Sequence, residues 1–193
     1  MNMNWLHRRY CASRAWATRV RDEILPSDLE GVELGEDVLE IGPGPGLTTE
    51  LLHPRVPRLT AIEIDDALAE SLRERVPSDR VEVVTGDATA MPFEDGRFSS
   101  AVCFTMLHHV PRPELQDRLF AETCRVLRPG GVFAGSDSSS ERRDLRFRLL
   151  HIGDVMNLVP PETLGARLEA AGFDSVEVER AGGGRVRWRA VAP

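Results

Sequence analysis

The sequence predicts an α/β fold: a doubly wound, mostly parallel seven-stranded sheet with one reversed last strand and helices on both faces. Five short apolar, β-prone runs alternate with helical patterns between residues 37 and 136. Such alternation builds a parallel sheet through right-handed crossovers. The last two strand-like runs are separated only by residues 181–184, three of which are glycine. This link is too short for a parallel crossover, so the final pair must be antiparallel.

The strands are predicted where apolar and β-branched residues cluster between turn residues. They cover residues 37–41, 59–64, 81–85, 98–104, 132–136, 175–179 and 185–191. Helices are predicted over 47–53, 66–76, 113–127 and 160–172, where apolar residues recur at helical spacing between starting prolines or acids and terminating glycines. Because the last strand is joined to the rest by a hairpin, we expect it as a reversed strand at the edge of the sheet.

Composition excludes several classes of enzyme. The chain has 193 residues, 24 basic against 31 acidic, and a formal net charge of −7, and every basic residue is arginine. A P-loop nucleotidase, a pyridoxal enzyme and a protein kinase each require a lysine, so all three are excluded. Net negative charge also disfavours a nucleic-acid partner, because binding to phosphates requires a basic face.

The sequence carries no targeting or metal-binding pattern. No apolar run approaches the roughly 18 residues that span a bilayer, and the N-terminus lacks a secretory signal. We therefore expect a cytoplasmic protein without a membrane span. Its three cysteines have no disulfide or zinc spacing, so no metal site is expected.

A glycine-rich loop gives the strongest chemical signal. Gly42, Gly44 and Gly46 alternate with two prolines directly after the first strand and before a helix. Glycines allow a ligand to approach the backbone, and ligands of such sheets bind at the carboxyl ends of the strands. A dinucleotide fingerprint has its third glycine three residues after the second, but here the interval is two, which argues against a pyrophosphate site.

Two acids follow the next strands at the same edge. Glu63 ends the second strand, where a carboxylate can accept both hydroxyls of a ribose. Asp87 follows the third strand, where it could accept from the exocyclic amine of a base. Either acid alone is more often a cap or turn residue, but with the glycine loop they outline a nucleoside site.

From residue 37 onward the chain resembles the class I S-adenosylmethionine-dependent methyltransferases, and in particular their small, single-domain type-11-like members. The resemblance rests on five segments in order: residues 38–46, 61–65, 85–88, 104–109 and 125–131. It implies S-adenosyl-L-methionine as cofactor, with S-adenosyl-L-homocysteine as product, and a set of cofactor-binding residues. The glycine loop with Glu40 would contact the methionine part, Glu63 would bind the ribose, and the remaining positions would contact the adenine and the sulfonium. Those positions are Ile64, Asp87 and Ala88 for the adenine, and Phe104 and Thr105 for the sulfonium.

The reaction that this resemblance implies is displacement of the activated methyl by an oxygen, nitrogen, sulfur or carbon atom of an acceptor. A general base helps where that atom must lose a proton, and His108 and His109, which follow the fourth strand, are the candidates. His7, Tyr10 and His151 come next. Each histidine is also explained by packing or capping alone.

A small-molecule acceptor, lipid-like or anionic, is expected. The sequences typical of base-amino and cytosine-C5 methyltransferases are absent after the fourth strand. The walls of the acceptor pocket must come from outside the core, and its candidate residues are His7, Tyr10, Trp16, Arg146 and His151. Arg142 and Arg146 belong to an arginine-rich segment that could cover an anionic acceptor, although an ordinary amphipathic helix with solvated arginines explains the pattern slightly better.

The predicted organisation is a single domain, monomeric or homodimeric. It comprises an N-terminal helical cap (1–30), a cofactor-binding half (37–137), a candidate lid (138–159), and a helix with the terminal hairpin (160–193). Two alternatives stay open. One is an NAD(P)-binding oxidoreductase on a similar sheet, and the other is a methyltransferase-like protein that binds the cofactor without catalysis.

Overall fold

The structure, a computed structural model, describes residues 4, 9–142, 144–153 and 156–193; within the helix at 145–150 the side chains of residues 146, 148 and 150 lie outside the description. His7 is therefore outside the described residues, and so is the side chain of Arg146.

Seven strands form one sheet, in the order β3-β2-β1-β4-β5-β7-β6. The strands are β1 (Asp37–Ile41), β2 (Arg58–Glu63), β3 (Val81–Thr85), β4 (Phe98–Phe104), β5 (Leu127–Ser138), β6 (Asp174–Ala181) and β7 (Arg185–Val191). β1 to β5 pair in parallel, and β7 pairs antiparallel with both β5 and β6. The predicted fold class is confirmed.

The position predicted for the reversed strand is wrong. β7 lies inside the sheet between β5 and β6, and β6 forms the edge. The burial of the two strands explains this order: β6 is exposed or half-buried at every position, whereas β7 alternates buried and half-buried residues. A polar, charged strand is tolerated at an edge, where one side of its backbone faces solvent.

The helices flank the sheet. They are α1 (Arg14–Arg19), α2 (Leu25–Asp28), α3 (Leu47–Leu52), α4 (Asp66–Arg73), α5 (Pro113–Val126), α6 (Leu145–Leu150) and α7 (Pro161–Ala170). A π-helical turn, Val20–Ile24, joins α1 to α2, and 3-10 turns cover His53–Arg55 and Leu107–His109. Among the described residues, no helix has the length and apolar character needed to span a membrane.

Two apolar clusters form the core, one on each face of the sheet. Successive side chains of a strand point to opposite faces, so in β1 Val38 joins one cluster while Leu39 and Ile41 join the other. All seven residues of β4 are buried, as expected for a central parallel strand. This rigid centre fixes the carboxyl ends of β1 and β4, where the loops that form the site begin.

The N-terminal segment is anchored over these carboxyl ends by a buried ion pair. Asp28, at the end of α2, accepts hydrogen bonds from Arg185 of β7 and from the Ser136 hydroxyl of β5. The Asp28 side chain is fully buried, and burial raises the pKa of its carboxyl while Arg185 opposes that shift. The contact holds residues from both ends of the chain together beside the site.

Candidate functional site

The glycine loop follows β1 where the strand order of the sheet reverses, between β1 and β4. In open α/β sheets this switch point is where ligands bind. Gly42 and Gly44 have φ angles of +67° and +55°, which favour glycine. A Cβ on Gly42 would clash with the Met106 side chain, whereas a Cβ on Gly44 would meet no atom within 4 Å. The loop therefore keeps open space in front of Gly44.

Glu40 lies buried at the end of β1, 2% exposed. Its carboxyl accepts hydrogen bonds from the Thr48 hydroxyl and, at 2.6 Å, from the Thr49 hydroxyl. Burial raises the pKa of Glu40 to about 7, the hydroxyl groups oppose this, and the nearby Glu63 adds to it. Neither Glu40 nor Gly46 is among the described residues that line the cavities at the ends of these strands. Their predicted contact with a cofactor therefore stays a prediction.

Glu63 joins the loop to β2. One carboxylate oxygen accepts from the Gly44 N–H at 2.9 Å and the other from the Asp65 N–H at 3.0 Å. Burial raises its pKa, and these N–H groups oppose the rise. Glu63 thus fixes the conformation of the glycine loop, a role that the sequence did not predict beside the expected ribose contact.

A first cavity of about 450 Å³ opens beside the loop, at the ends of β2 and β3. Five of the predicted cofactor residues line it together: Gly42, Glu63, Ile64, Asp87 and Ala88. Ile64 is 52% exposed, an unusual state for a large apolar side chain and one that suits packing on a flat ligand. Asp87 accepts from the Thr89 N–H at 2.8 Å.

A small pocket of about 50 Å³, called the passage below, lies along the loop and shares Gly42, Met106 and His109 with the walls of this cavity. Its walls include Gly44, Phe104, Thr105 and His109. Thr105 has a φ of +52°, although it is not glycine, and its N–H donates to the Ser136 carbonyl at 2.8 Å. Strained backbone of this kind often occurs at functional sites.

A second cavity, of about 410 Å³, adjoins the other end of the passage. Tyr10, Trp16 and His151, which the sequence predicted for an acceptor pocket, line it together with His108. Trp16 and Thr105 line both the passage and the second cavity, and His109 lines both the passage and the first. The passage therefore shares wall residues with both cavities, beside the carboxyl end of β4.

Three arginines line the second cavity, and the sequence had indicated only part of this set. Arg19, Arg142 and Arg185 line it, with Asp144 as the described acid among the lining residues. Arg142 donates to the Ser138 hydroxyl at 3.2 Å, pairs with Asp144 at 3.2 Å, and stacks 4.0 Å from the Phe147 ring. The arginine-rich pattern of the candidate lid pointed towards Arg142, but nothing in the sequence pointed to Arg185.

His108 is held by an acid that sequence reasoning missed. Its Nδ1 lies 2.5 Å from Asp137 Oδ1, and its backbone N–H donates to Asp137 Oδ2 at 3.1 Å. His108 is 3% exposed and Asp137 is fully buried. Asp137 is the last residue but one of β5, and an acid near the end of a parallel strand is the sequence signal that could have indicated it.

The His108 ring lies in a group with two other histidines. Its centroid is 4.1 Å from that of His109 and 5.5 Å from that of His151. His151 Nδ1 lies 2.7 Å from the Phe147 carbonyl oxygen. The fold thus brings together the three described histidines that the sequence singled out.

Comparison with known proteins identifies the family. The family described as "Methyltransferase domain" matches residues 39–135, half of the chain. A protein named "Probable S-adenosylmethionine-dependent methyltransferase" from Mycolicibacterium smegmatis is 30% identical over 158 residues, which are 80% of this chain and 58% of that protein. A ribosomal RNA small subunit methyltransferase A from Cupriavidus pinatubonensis is 30% identical over 196 residues, 87% of this chain and 66% of that protein.

A solved structure from Pyrococcus horikoshii shares the fold. Its TM-score is 0.79 at 20% identity, and the match covers 95% of this chain and 94% of that one. The chain spans about half the length of the first curated relatives it matches, 58%, 28% and 47% of them. On the family match, which covers the glycine loop and β1 to β5, the chain belongs to the class I S-adenosylmethionine-dependent methyltransferases.

Proposed function

We propose that this chain transfers a methyl group from S-adenosylmethionine to a small acceptor that carries an anionic group. The observation that carries the proposal is that the passage, lined by Gly44 and Thr105, shares wall residues with two larger cavities at the end of β4. One cavity has the residues of a nucleoside site and the other has arginines and histidines. Two reactants can therefore approach each other from opposite sides.

The residues of the first cavity fit the cofactor. The open space at Gly44 accepts a chain that lies along the loop, and Ile64 offers an exposed apolar side chain to the adenine. Glu63 and Asp87 line the same cavity, and each carboxylate has acceptor capacity beyond the backbone N–H groups it already binds. The negative charge of these acids also favours a cationic ligand.

Positioning would provide most of the catalysis. When bound, S-adenosylmethionine supplies a methyl group already activated by its sulfonium. Phe104 and Thr105 line the passage, and a bound cofactor and acceptor would displace water from it. Alignment of two reactants in such a site can contribute on the order of 7–11 kcal/mol.

His108 is proposed as the proton acceptor where the acceptor atom must lose a proton. His108 lines the second cavity. Because Asp137 accepts the proton on its Nδ1, Nε2 is the ring nitrogen that can take up a proton. His109 lines the passage and stays the second candidate. Asp137 is proposed as a positioning residue, because it acts through His108.

Arginines favour an anionic acceptor. Arg142 and Arg185 line the second cavity, and each has a buried Nε without a hydrogen-bond partner among the described residues. A carboxylate or phosphate oxygen satisfies such a group with a charge-assisted hydrogen bond. In this proposal residues 9–30 and 138–159 wall the acceptor cavity, and the parallel bridge between Ser139 and Val159 closes the base of the second segment.

Turnover with matched acceptors tests the proposal. Release of S-adenosylhomocysteine would be measured with a panel of small acceptors, each as a carboxylate and as its neutral amide. We expect turnover with carboxylates, and a KM raised about 10-fold or more in Arg142→Gln, because a charge-assisted hydrogen bond of 1.5–3 kcal/mol is lost. Arg80→Gln, an exposed residue before β3, is the matched control. Preference for the amides would refute the anionic class.

Ribosomal RNA is the second candidate acceptor, because a relative of similar identity is named for it. The net charge of −7 favours the small molecule, because binding to RNA phosphates requires a basic face. Methyl transfer to 16S RNA without turnover of any small acceptor would reverse this choice.

A further inference from the structure

Three histidine nitrogens converge beside the second cavity. His108, His109 and His151 each offer one ring nitrogen, and these nitrogens all lie within 4.8 Å of one another. His108 and His151 are 3% and 4% exposed, and His109 is half-buried. His151 comes from the turn after α6, 42 residues along the chain from His109, so the sequence spacing gave no metal motif.

Hydrogen bonds to Nδ1 determine how the His108 ring is presented. Asp137 Oδ1 lies 2.5 Å from His108 Nδ1. The buried carboxylate accepts the Nδ1 proton, which leaves the lone pair on Nε2. This Nε2 is buried and has no hydrogen-bond partner within the part of the chain that the structure describes. A buried nitrogen without a partner is costly, and a ligand on it would remove that cost.

The Nδ1 of His151 is also held, by a different partner. Its Nδ1 lies 2.7 Å from the Phe147 carbonyl oxygen. A carbonyl only accepts, so Nδ1 carries the proton and Nε2 the lone pair. Histidines that bind metals commonly donate their other N–H to a carboxylate or a backbone carbonyl, which fixes the ring and its tautomer. Both supports are present here.

We propose that His108, His109 and His151 bind one divalent first-row transition-metal ion of the zinc type. Imidazole nitrogens suit such ions, whereas magnesium and calcium require oxygen ligands. Tetrahedral zinc with bonds of about 2.0–2.1 Å needs ligand nitrogens about 3.3 Å apart, so side-chain rotation must close at most about 1.5 Å from the observed spacing. Three neutral ligands leave the ion its full charge and at least one open position.

The open position adjoins the acceptor cavity, which His108 and His151 both line. Coordination lowers the pKa of a bound hydroxyl, so the metal and a metal-free His108 are alternative means of activating an acceptor. This consequence rests on the proposed function, whereas the metal site itself does not.

Metal binding to the tag-free protein tests the site. Chelator-treated protein would be titrated with Co²⁺ and followed by visible absorption, and Zn²⁺ would be added in competition with a chromophoric chelator. We expect one equivalent bound by the wild type, and affinity at least about 100-fold weaker in His108→Gln and His151→Gln. Asp137→Asn should weaken binding about 10–100-fold, as is usual for partners of metal-binding histidines. His53→Gln, in the 3-10 turn after α3, is the matched control and should bind as the wild type does.

Two further measurements make the result decisive. X-ray absorption at the zinc edge of the wild type should show nitrogen ligands at about 2.0 Å with imidazole scattering and no sulfur, and it needs no variant to fold. Calorimetry with S-adenosylhomocysteine on metal-free protein tests the cofactor site separately, because His151 lines neither the first cavity nor the passage among the described residues. Failure of the wild type to bind Co²⁺ or Zn²⁺ at micromolar concentration would overturn the metal site. Wild-type affinity in His108→Gln and His151→Gln would overturn it too.

Discussion

Replacing Glu40 with glutamine should remove a large part of the pH dependence of stability. Burial raises the pKa of this carboxyl from 4.5 to about 7 in the folded protein. Below pH 4.5 the group is protonated in both the folded and the unfolded state. Between pH 4.5 and about 7 the unfolded chain releases the proton while the folded protein retains it, so the free energy of unfolding falls as the pH rises. Above about 7 this loss is complete.

The size of the effect follows from the shift. One pKa unit corresponds to 1.36 kcal/mol, so the shift costs the wild type about 3 kcal/mol between pH 4.5 and 8. Glutamine has no proton to release and can still accept from the Thr49 hydroxyl that now binds Glu40. Asp28 also has a raised pKa, but it is present in both proteins and does not contact Glu40, so its effect cancels in the difference. Glu63 interacts with Glu40, and its contribution therefore belongs to the measured difference.

Urea unfolding at several pH values measures this difference. We expect the free energy of unfolding of Glu40→Gln, relative to the wild type, to increase by about 3 kcal/mol from pH 4.5 to 8. Glu50→Gln, an exposed change on helix α3, is the control. Parallel curves for Glu40→Gln and the wild type would refute the reasoning, because the carboxyl would then titrate alike in both states.

Three other outcomes are expected. Because ionised Glu40 and Glu63 attract a cation, calorimetric affinity for S-adenosylmethionine should rise as the pH increases through about 7, with a weaker trend in Glu40→Gln; affinity independent of pH would contradict this. Asp28→Ala leaves Arg185 buried without its acid, so urea unfolding should show a loss of about 3–5 kcal/mol; a loss below 1 kcal/mol would mean that water replaces the acid. Gly42→Ala combines a φ of +67° with a clash against Met106 and should lower stability by more than about 2 kcal/mol; wild-type stability would show that the loop has another conformation.

Local patterns predicted most of the fold. β1, β3, β4 and β7 have the predicted bounds, because apolar runs between turn residues depend on near neighbours in the chain. The placement of β7 inside the sheet was not predicted, since it depends on how well β6 tolerates solvent rather than on the hairpin between them. The hairpin itself followed from three glycines.

Some residues of the candidate site were predicted from local sequence patterns, and others were not. Glu63, Ile64, Asp87 and Ala88 end or follow strands that pair in register, so their shared cavity followed from the topology. The contact of Asp137 with His108 joins residues 29 apart, and that of Arg185 with Asp28 joins residues 157 apart. No spacing pattern encodes such contacts.

Some predictions were not tested by the structure. His7 and the side chain of Arg146 lie outside the described residues, so their places in an acceptor pocket stay predictions. The monomeric or homodimeric state, the cytoplasmic location and the boundaries of the single domain also stay predictions. Arg142, from the same arginine-rich segment, lines the second cavity.

Calorimetric titration with S-adenosylmethionine and S-adenosylhomocysteine, with NAD as the control ligand, tests the central claim most directly. It should be made on the wild type, Gly44→Ala and Gly130→Ala. Both glycines have positive φ, and a Cβ on either would meet no atom within 4 Å, so the two substitutions strain the backbone alike. Of these two glycines, only Gly44 lines the passage. We predict micromolar binding of both adenosyl ligands to the wild type and to Gly130→Ala, at least 10-fold weaker binding to Gly44→Ala, and no binding of NAD. Binding of NAD alone, or equal affinity in all three proteins, would contradict the account.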